Sequence, residues 1–275
     1  MTQTVLITGC SSGFGKASAL TFRSAGWNVV ATMRNTDQWE ETQDSAGIFV
    51  TKLDVQNEAT IHQAITLGVE RFGRIDCVVN NAGMGLFSVF EATPMETIKV
   101  LFSTNVFGPM LVTQAILPHF QANGGGRIIN ITSGSATVPD PLMSAYSASK
   151  GALHCFTEAL QYEMQSQNVT VKIVEPGFVA STQFTQQSQQ TANAIPIPPS
   201  YQAYVAQRIA SFMGEPPKDY FGTENDVAEA VLAAATDTTG KLRFLVGQDV
   251  KDSDRMRRAP STEYDNWRNS RFAPR

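Results

Sequence analysis

The chain has 275 residues, 42% of them hydrophobic and 17% charged, with a net charge of -4 and an isoelectric point near 5.4. That length and apolar share suffice for one sizeable α/β core. The acidic balance leaves no basic footprint for nucleic acid or an anionic membrane. The start, "MTQTVLITG", has neither the basic residues nor the long apolar stretch of a secretion signal. No apolar run in this reading approaches the roughly 20 residues of a membrane span. A cytoplasmic protein without a membrane span is expected.

The first strand is "TVLIT", residues 4–8, which enters "GCSSGFG" (Gly9 to Gly15) and then the helical "KASALTFRSAG". Glycines there admit positive φ and let the backbone approach a ligand, while free N–H groups at a helix start attract an anion. Strand, glycine-rich turn and helix in that order make a dinucleotide site, which assigns Gly9, Ser11, Ser12, Gly13, Phe14 and Gly15 to its phosphates. The second strand, "NVVAT" (28–32), runs into Met33 and Arg34. An acidic residue at this strand end suits the ribose hydroxyl of NAD, and a basic one suits the 2′-phosphate of NADP. Arg34 can grip that phosphate bidentately, so NADP(H) is expected ahead of NAD(H). The plain alternative makes Arg34 a solvated loop residue, and position 12 holds Ser where a second basic residue would have strengthened the case.

Further strands are read in "IFVTKLDV" (48–55), "IDCVVNNAG" (75–83), "GRIINITS" (126–133), "VTVKIVEPG" (169–177) and "LRFLVG" (242–247). Helix-length segments separate most of them, so the alternation predicts about seven parallel strands covered on both faces. Residues 95–122 read as one long helix on the recurrence of Ile98, Leu101, Val106, Val112 and Ile116, kinked by Pro109 and Pro118. A second helix, 145–165, carries Leu153, Phe156, Leu160 and Met164 on one face. These two helices are the expected oligomer surface, although their apolar faces equally suit the sheet. Cys10, Cys77 and Cys155 form no metal-like spacing and are read as reduced small hydrophobes. His62, His119 and His154 stand alone, so no metal site is expected.

On the second helix, "YSASK" sets Tyr146 and Lys150 four residues apart on one face, with only small residues between them. A free tyrosine, with a pKa of about 10, is a poor base. A nearby cation favours the phenolate, as does the positive ring of an oxidised nicotinamide, so the pair is read as a tunable proton donor and acceptor. Alone, Y-x-x-x-K occurs in many helices without such a role. Ser133 closes the fifth strand thirteen residues earlier, where its hydroxyl can hold a substrate oxygen against Tyr146. Thr132 is expected to face the other way, and Ser135 to lie past the strand end. Residues 183–199 are rich in Gln and Pro and lack periodicity, and we read a substrate lid at about 183–222 rather than disorder. Seven aromatics fall within residues 178–221: Phe178, Phe184, Tyr201, Tyr204, Phe212, Tyr220 and Phe221. They suit either an apolar pocket or the anchoring of the lid.

Taken together, Thr-Gly-x-x-x-Gly-x-Gly, "NNAG", Ser133 and Y-x-x-x-K resemble the short-chain dehydrogenase/reductase family, in the subgroup with three residues between the first two glycines. The resemblance covers residues 4–182 motif by motif, and "TENDVAEAVLAA" is similar to the family's helix before the last strand. It implies a single Rossmann-like doubly wound α/β domain over residues 1–275. Met33 stands where NAD-preferring members carry aspartate. Asp54, on its own a helix cap, is implied to accept from the adenine amino group, with a backbone contact from Val55. Asn81, Ala82 and Gly83 are implied to admit the cofactor ribose. Asn105, in "STNVFG", is implied to kink its helix and relay protons through a water to Lys150, which completes the tetrad Asn105, Ser133, Tyr146 and Lys150. Tyr146 and Lys150 also touch the cofactor. Pro176 and Gly177 would turn the chain under the nicotinamide, with the Val179 backbone and a hydroxyl from Ser181 or Thr182 nearby; the doublet leaves that register open. "ATMRN" and "EPGF" are similar to hydroxysteroid- and retinol-type members. The implied activity interconverts a ketone or aldehyde and an alcohol on a small apolar substrate with NADP(H), in a homodimer or homotetramer. The alternatives are an NAD-dependent alcohol dehydrogenase of the same fold and a non-catalytic NAD(P)-sensing protein.

Overall fold

Each β-branched run becomes a strand because both of its faces find apolar cover. A computed structural model describes residues 2–39, 47–179, 188, 191–213 (212 and 213 by backbone alone) and 220–274. The strands are β1 Thr4–Thr8, β2 Asn28–Met33, β3 Ile48–Lys52, β4 Cys77–Asn80, β5 Gly126–Ile131, β6 Val169–Pro176 and β7 Arg243–Val246. They form one sheet in the order β3-β2-β1-β4-β5-β6-β7, and every pairing is parallel. The chain winds outward from β1 to β3, then returns to β4 on the other side of β1. In open α/β sheets that reversal, at the carboxyl ends of the strands, is where ligands bind.

Helix α1 (Gly13–Ser24) lies over one face, where Phe22 and Val29 join Val227 and Val231 of a later helix in one core. The opposite face is covered by α2 (Glu58–Phe72), by a helix from Gly108 to Ala122 and by one from Ser144 to Gln165, through Ile61, Ile116 and Leu160.

The predicted single helix over 95–122 is not one. It divides into α3 (Met95–Phe102), a π-helical turn at Ser103–Phe107 and α4 (Gly108–Ala122). The prolines do not cause the break: Pro109 sits at the start of α4, where a missing N–H costs little, and Pro118 lies within the helix. The wide turn surrounds Asn105, which is fully buried and bonded outside its own helix; a widened turn of this kind often marks a functional position. Taken as one run, Met95–Ala122 is long and apolar enough to cross a membrane, which corrects the count of apolar runs. Its Val112, Ile116 and Phe120 are fully buried in the core, as in a core helix.

Further helices among the described residues include α5 (Gly134–Thr137), α6 (Ser144–Gln165), α7 (Gln202–Met213), α8 (Glu224–Thr236), α9 (Gln248–Arg257) and α10 (Ser261–Phe272). Helix α8 starts with a reciprocal cap in which the Thr223 hydroxyl and the Asp226 carboxylate each bond the other's backbone N–H, a standard way to satisfy the open first turn.

Candidate active site

The turn after β1 requires its glycines. Gly9 and Gly13 have φ of 74° and 55°, a region L-residues avoid. A Cβ on Gly15 would run into the Gly9 carbonyl and stand 2.5 Å from Asn81 Nδ2. Thr8 ties this turn to the loop after β4: its Oγ1 accepts from the N–H groups of Asn81 and Ala82, both at 3.0 Å. Asn81 replies, donating from Nδ2 to the Thr8 carbonyl at 2.8 Å. Cys10 is fully buried here, and burial pushes its thiol up to about 12, so it behaves as the small hydrophobe expected.

On the other side of the switch point, β5 delivers Ser133 as the N-cap of α5, its Oγ accepting from Ser135 N–H at 3.2 Å. Ser133 also hydrogen-bonds Tyr146. Tyr146 and Lys150 are 6% and 5% exposed, and Lys150 Nζ donates to the Ile131 carbonyl at 2.9 Å. Burial pushes the Tyr146 phenol up to about 12, against a smaller downward pull from Ser133, and it brings Lys150 down to about 8. The sequence predicts a phenol acidified by its basic neighbour and by the ring of an oxidised nicotinamide; without the cofactor, burial disfavours the charged form of each group, raising the phenol and lowering the ammonium. The phenol is therefore held as a proton donor.

Asn105 reaches the site from behind. Its Oδ1 accepts from Met84 N–H and its Nδ2 donates to the Met84 carbonyl, both at 2.9 Å. Nδ2 also bonds the Ser149 hydroxyl at 3.1 Å, and that hydroxyl donates to the Tyr146 carbonyl. A Cβ built on Gly83 would stand 3.3 Å from Asn105 Oδ1 and 3.5 Å from Lys150 Nζ, so the two groups flank one spot.

One cleft of about 1500 Å³ joins these parts. The predicted site residues among those described line it, except Gly15 and Asn105, which lie behind its wall. Arg34 stands exposed on its rim after the buried Met33. Asp54 accepts from Gln56 N–H at 3.0 Å, shaping the loop before α2. Val55 is buried against Gly108, where a Cβ would come within 2.8 Å of it. Ser181 and Thr182 lie outside the described residues, as does Phe184.

The family model for short chain dehydrogenases matches residues 3–193, well over half of the chain. The chain belongs to the short-chain dehydrogenase/reductase family. An uncharacterized oxidoreductase of Schizosaccharomyces pombe is 37% identical over 204 residues, which span 74% of this chain and 83% of that protein. A solved short-chain dehydrogenase from Streptomyces avermitilis superposes with a TM-score of 0.80 at 29% identity, covering 98% of this chain and 94% of the other. A 3-ketoacyl-(acyl-carrier-protein) reductase from Brucella melitensis, solved with NADH, gives 0.73 at 26% identity, covering 90% and 98%. As a short-chain dehydrogenase/reductase, the chain is an oxidoreductase acting on CH–OH groups with a nicotinamide cofactor.

In this short-chain dehydrogenase the predicted lid region divides its aromatics between the two expected roles. Phe178, Tyr220 and Phe221 line the cleft, with Phe178 edge-on to Phe221 at 5.2 Å. Tyr201 and Tyr204 are anchors, bonding the Glu91 carboxylate at 2.8 Å and the Phe272 carbonyl at 3.0 Å. Three residues absent from the sequence prediction also belong to the site. Asp249 accepts from Phe178 N–H at 2.9 Å and crowds Gly177 so closely that a Cβ there would meet its carboxylate, fixing the Pro176–Phe178 turn. Arg208 and Phe272, from α7 and α10, are 4% and 7% exposed and line the cleft. No spacing signal marks them, since they arrive from segments beyond the family's matched region.

Proposed function

We propose that the chain reduces a ketone or aldehyde to an alcohol with NADPH, on a substrate whose body is apolar. The observation that carries this reading is the buried Ser133–Tyr146 hydrogen bond in the wall of the cleft, with a phenol that keeps its proton near neutral pH. A donor held this way suits a carbonyl oxygen that gains electron density and must be protonated. Ser133 orients that oxygen, Tyr146 gives up the proton, and Lys150, whose ammonium burial weakens, replenishes it. The bound cofactor supplies the hydride. The glycine turn fits its phosphates, for Gly9 and Gly15 form a cradle that a Cβ would fill. Arg34 at the end of β2 supports a 2′-phosphate.

Helix α7 and the residues around Ile195 act as the lid in this proposal, supported by their place along the cleft. It also includes a homodimer or homotetramer, supported by the exposed Phe107 and Tyr162 beside α4 and on α6. A second reading, NAD dependence, is favoured by Ser12, which brings no second cation to the rim. A panel of ketones and aldehydes, followed by the loss of reduced-cofactor absorbance with NADPH and NADH in parallel, tests all of this. Faster turnover with NADPH on apolar members is the expected result. Turnover with NADH alone would overturn the cofactor preference, and oxidation of neither with any member would overturn the reduction.

A further inference from the structure

Tyr204, Gln207 and Arg208 are spaced so as to share one face of α7, and that face meets the end of α10. Arg208 Nη1 donates to the Arg271 carbonyl at 2.7 Å, Tyr204 Oη to the Phe272 carbonyl at 3.0 Å and Gln207 Nε2 to the Ala273 carbonyl at 3.4 Å. The last carbonyls of a helix have no partner within it, and here three side chains of another helix take them. A cation is favoured at such a terminus, which makes the burial of Arg208 tolerable; its guanidinium also lies 5.3 Å from the centre of the Phe272 ring. Phe272 packs in turn with Val138 and Tyr264. Val138 closes α5, the helix that Ser133 caps. The end of α10 is thus fixed on one side to α7 and on the other to the segment that carries the substrate-orienting hydroxyl.

Phe272 lines the same cleft as Tyr146, as do Val205 and Ile209 of α7. The family match ends at residue 193, so α7 and α10 both lie beyond the segment that carries the family's motifs. We infer that the end of α10 is the distal wall of the substrate site, that Phe272 limits the length of the carbonyl compound the cleft admits, and that Arg208 is the positioning residue that holds this wall in place. The inference rests on the carbonyl-reductase reading above and names its substrate class more closely: elongated apolar ketones whose far end abuts an aromatic ring.

The test compares wild type with Phe272→Ala, Phe272→Leu, Arg208→Ala and Arg208→Lys on a homologous series of straight-chain methyl ketones at saturating NADPH. Calorimetric binding of a long ketone to each protein is measured alongside. Removing the ring raises kcat/KM for chains longer than the wild-type optimum about tenfold, the worth of a methylene or more in an apolar pocket. The gain comes through KM and grows with chain length, being smallest for the shortest ketone. Arg208→Ala flattens the length preference, and Arg208→Lys, which keeps a donor for the Arg271 carbonyl, restores part of it; affinity for NADPH stays constant throughout. Phe272→Leu, which preserves burial, gives a smaller shift in the same direction and serves if the alanine variant does not fold. Length profiles and ketone affinities that coincide across the series would overturn the wall. A wild type that binds long ketones in the expected order yet turns none over would leave the wall standing and overturn the reductase reading instead.

Discussion

The Asn105 carboxamide and the Met84 backbone bond each other in both directions, each contact 2.9 Å long. This joins the π-turn between α3 and α4 to the loop that follows the "NNAG" segment, and the same amide reaches Ser149 on the helix of Tyr146. Asn105→Ala deprives the part-buried Met84 N–H and carbonyl, and the buried Ser149 hydroxyl, of this partner. We expect a loss of roughly 1–3 kcal/mol of stability, the range for an unsatisfied buried polar group, read as a lower midpoint in denaturant. Asn105→Asp, which buries a carboxylate and sets an acceptor oxygen against the Met84 carbonyl, should cost at least as much.

Tyr146→Phe removes one oxygen from a wall that otherwise stays packed. Turnover should fall on the order of a hundredfold or more, the range for a lost general acid, while NADPH affinity by fluorescence titration remains nearly that of wild type. Full activity in this variant would take the phenol out of the reaction.

Lys150 carries its charge at a cost to the fold. Its value is lowered to about 8 from an ordinary 10.5 by burial, so below pH 8 both folded and unfolded chains are protonated and the folded one pays for desolvation. Between about pH 8 and 10.5 the folded chain releases that proton first and the penalty fades. Lys150→Met, without cofactor, should therefore be more stable than wild type at pH 7, on the order of 3 kcal/mol. The gap should close as pH rises through that window, while activity is lost.

Arg34 is exposed, so its contribution is a matter of phosphate recognition and not of folding. Arg34→Ala should weaken NADPH about tenfold, equivalent to about 1.4 kcal/mol, and leave NADH as it was. Raising salt should narrow the wild-type preference in the same way. Met33→Asp is the less clean version of this test, because Met33 is 2% exposed and a carboxylate there costs stability as well.

Gly15→Ala introduces a methyl where the Gly9 carbonyl and the Asn81 amide already stand. A loss of about 1–3 kcal/mol in stability follows from overpacking, together with weaker binding of both NADPH and NADH, since the phosphate turn shifts whichever cofactor is offered. Thermal unfolding with and without each cofactor separates the two effects.

The sheet was legible because its β-branched runs alternate with helix-length segments, and the meeting of Ser133, Tyr146 and Lys150 in one cleft because a strand end and an i,i+4 pair on one helix were read against the family's motifs; Asn105 came from that resemblance alone. The break at Ser103–Phe107 could be read only through the family resemblance, which implies a kink at Asn105; the helical periodicity pointed to the prolines instead, because the Asn105 amide is satisfied by a backbone 21 residues away at Met84. Asp249 acts on Phe178 across 71 residues and Arg208 on Arg271 across 63; contacts of that reach leave no periodicity behind. The effect of burial on Tyr146 could not be read for another reason. Spacing tells which charges are neighbours, but only the packed structure tells how much water each has lost.

Trp267 lies edge-on to the Phe272 ring, 6.2 Å between centres, while the chain's other two indoles, Trp27 and Trp39, are shut in the core that includes Phe22 and Val231. If the wall proposed above is right, a long ketone that reaches Phe272 should shift the emission of Trp267 against the interior pair, so the far end of the cleft can be followed without attaching a dye.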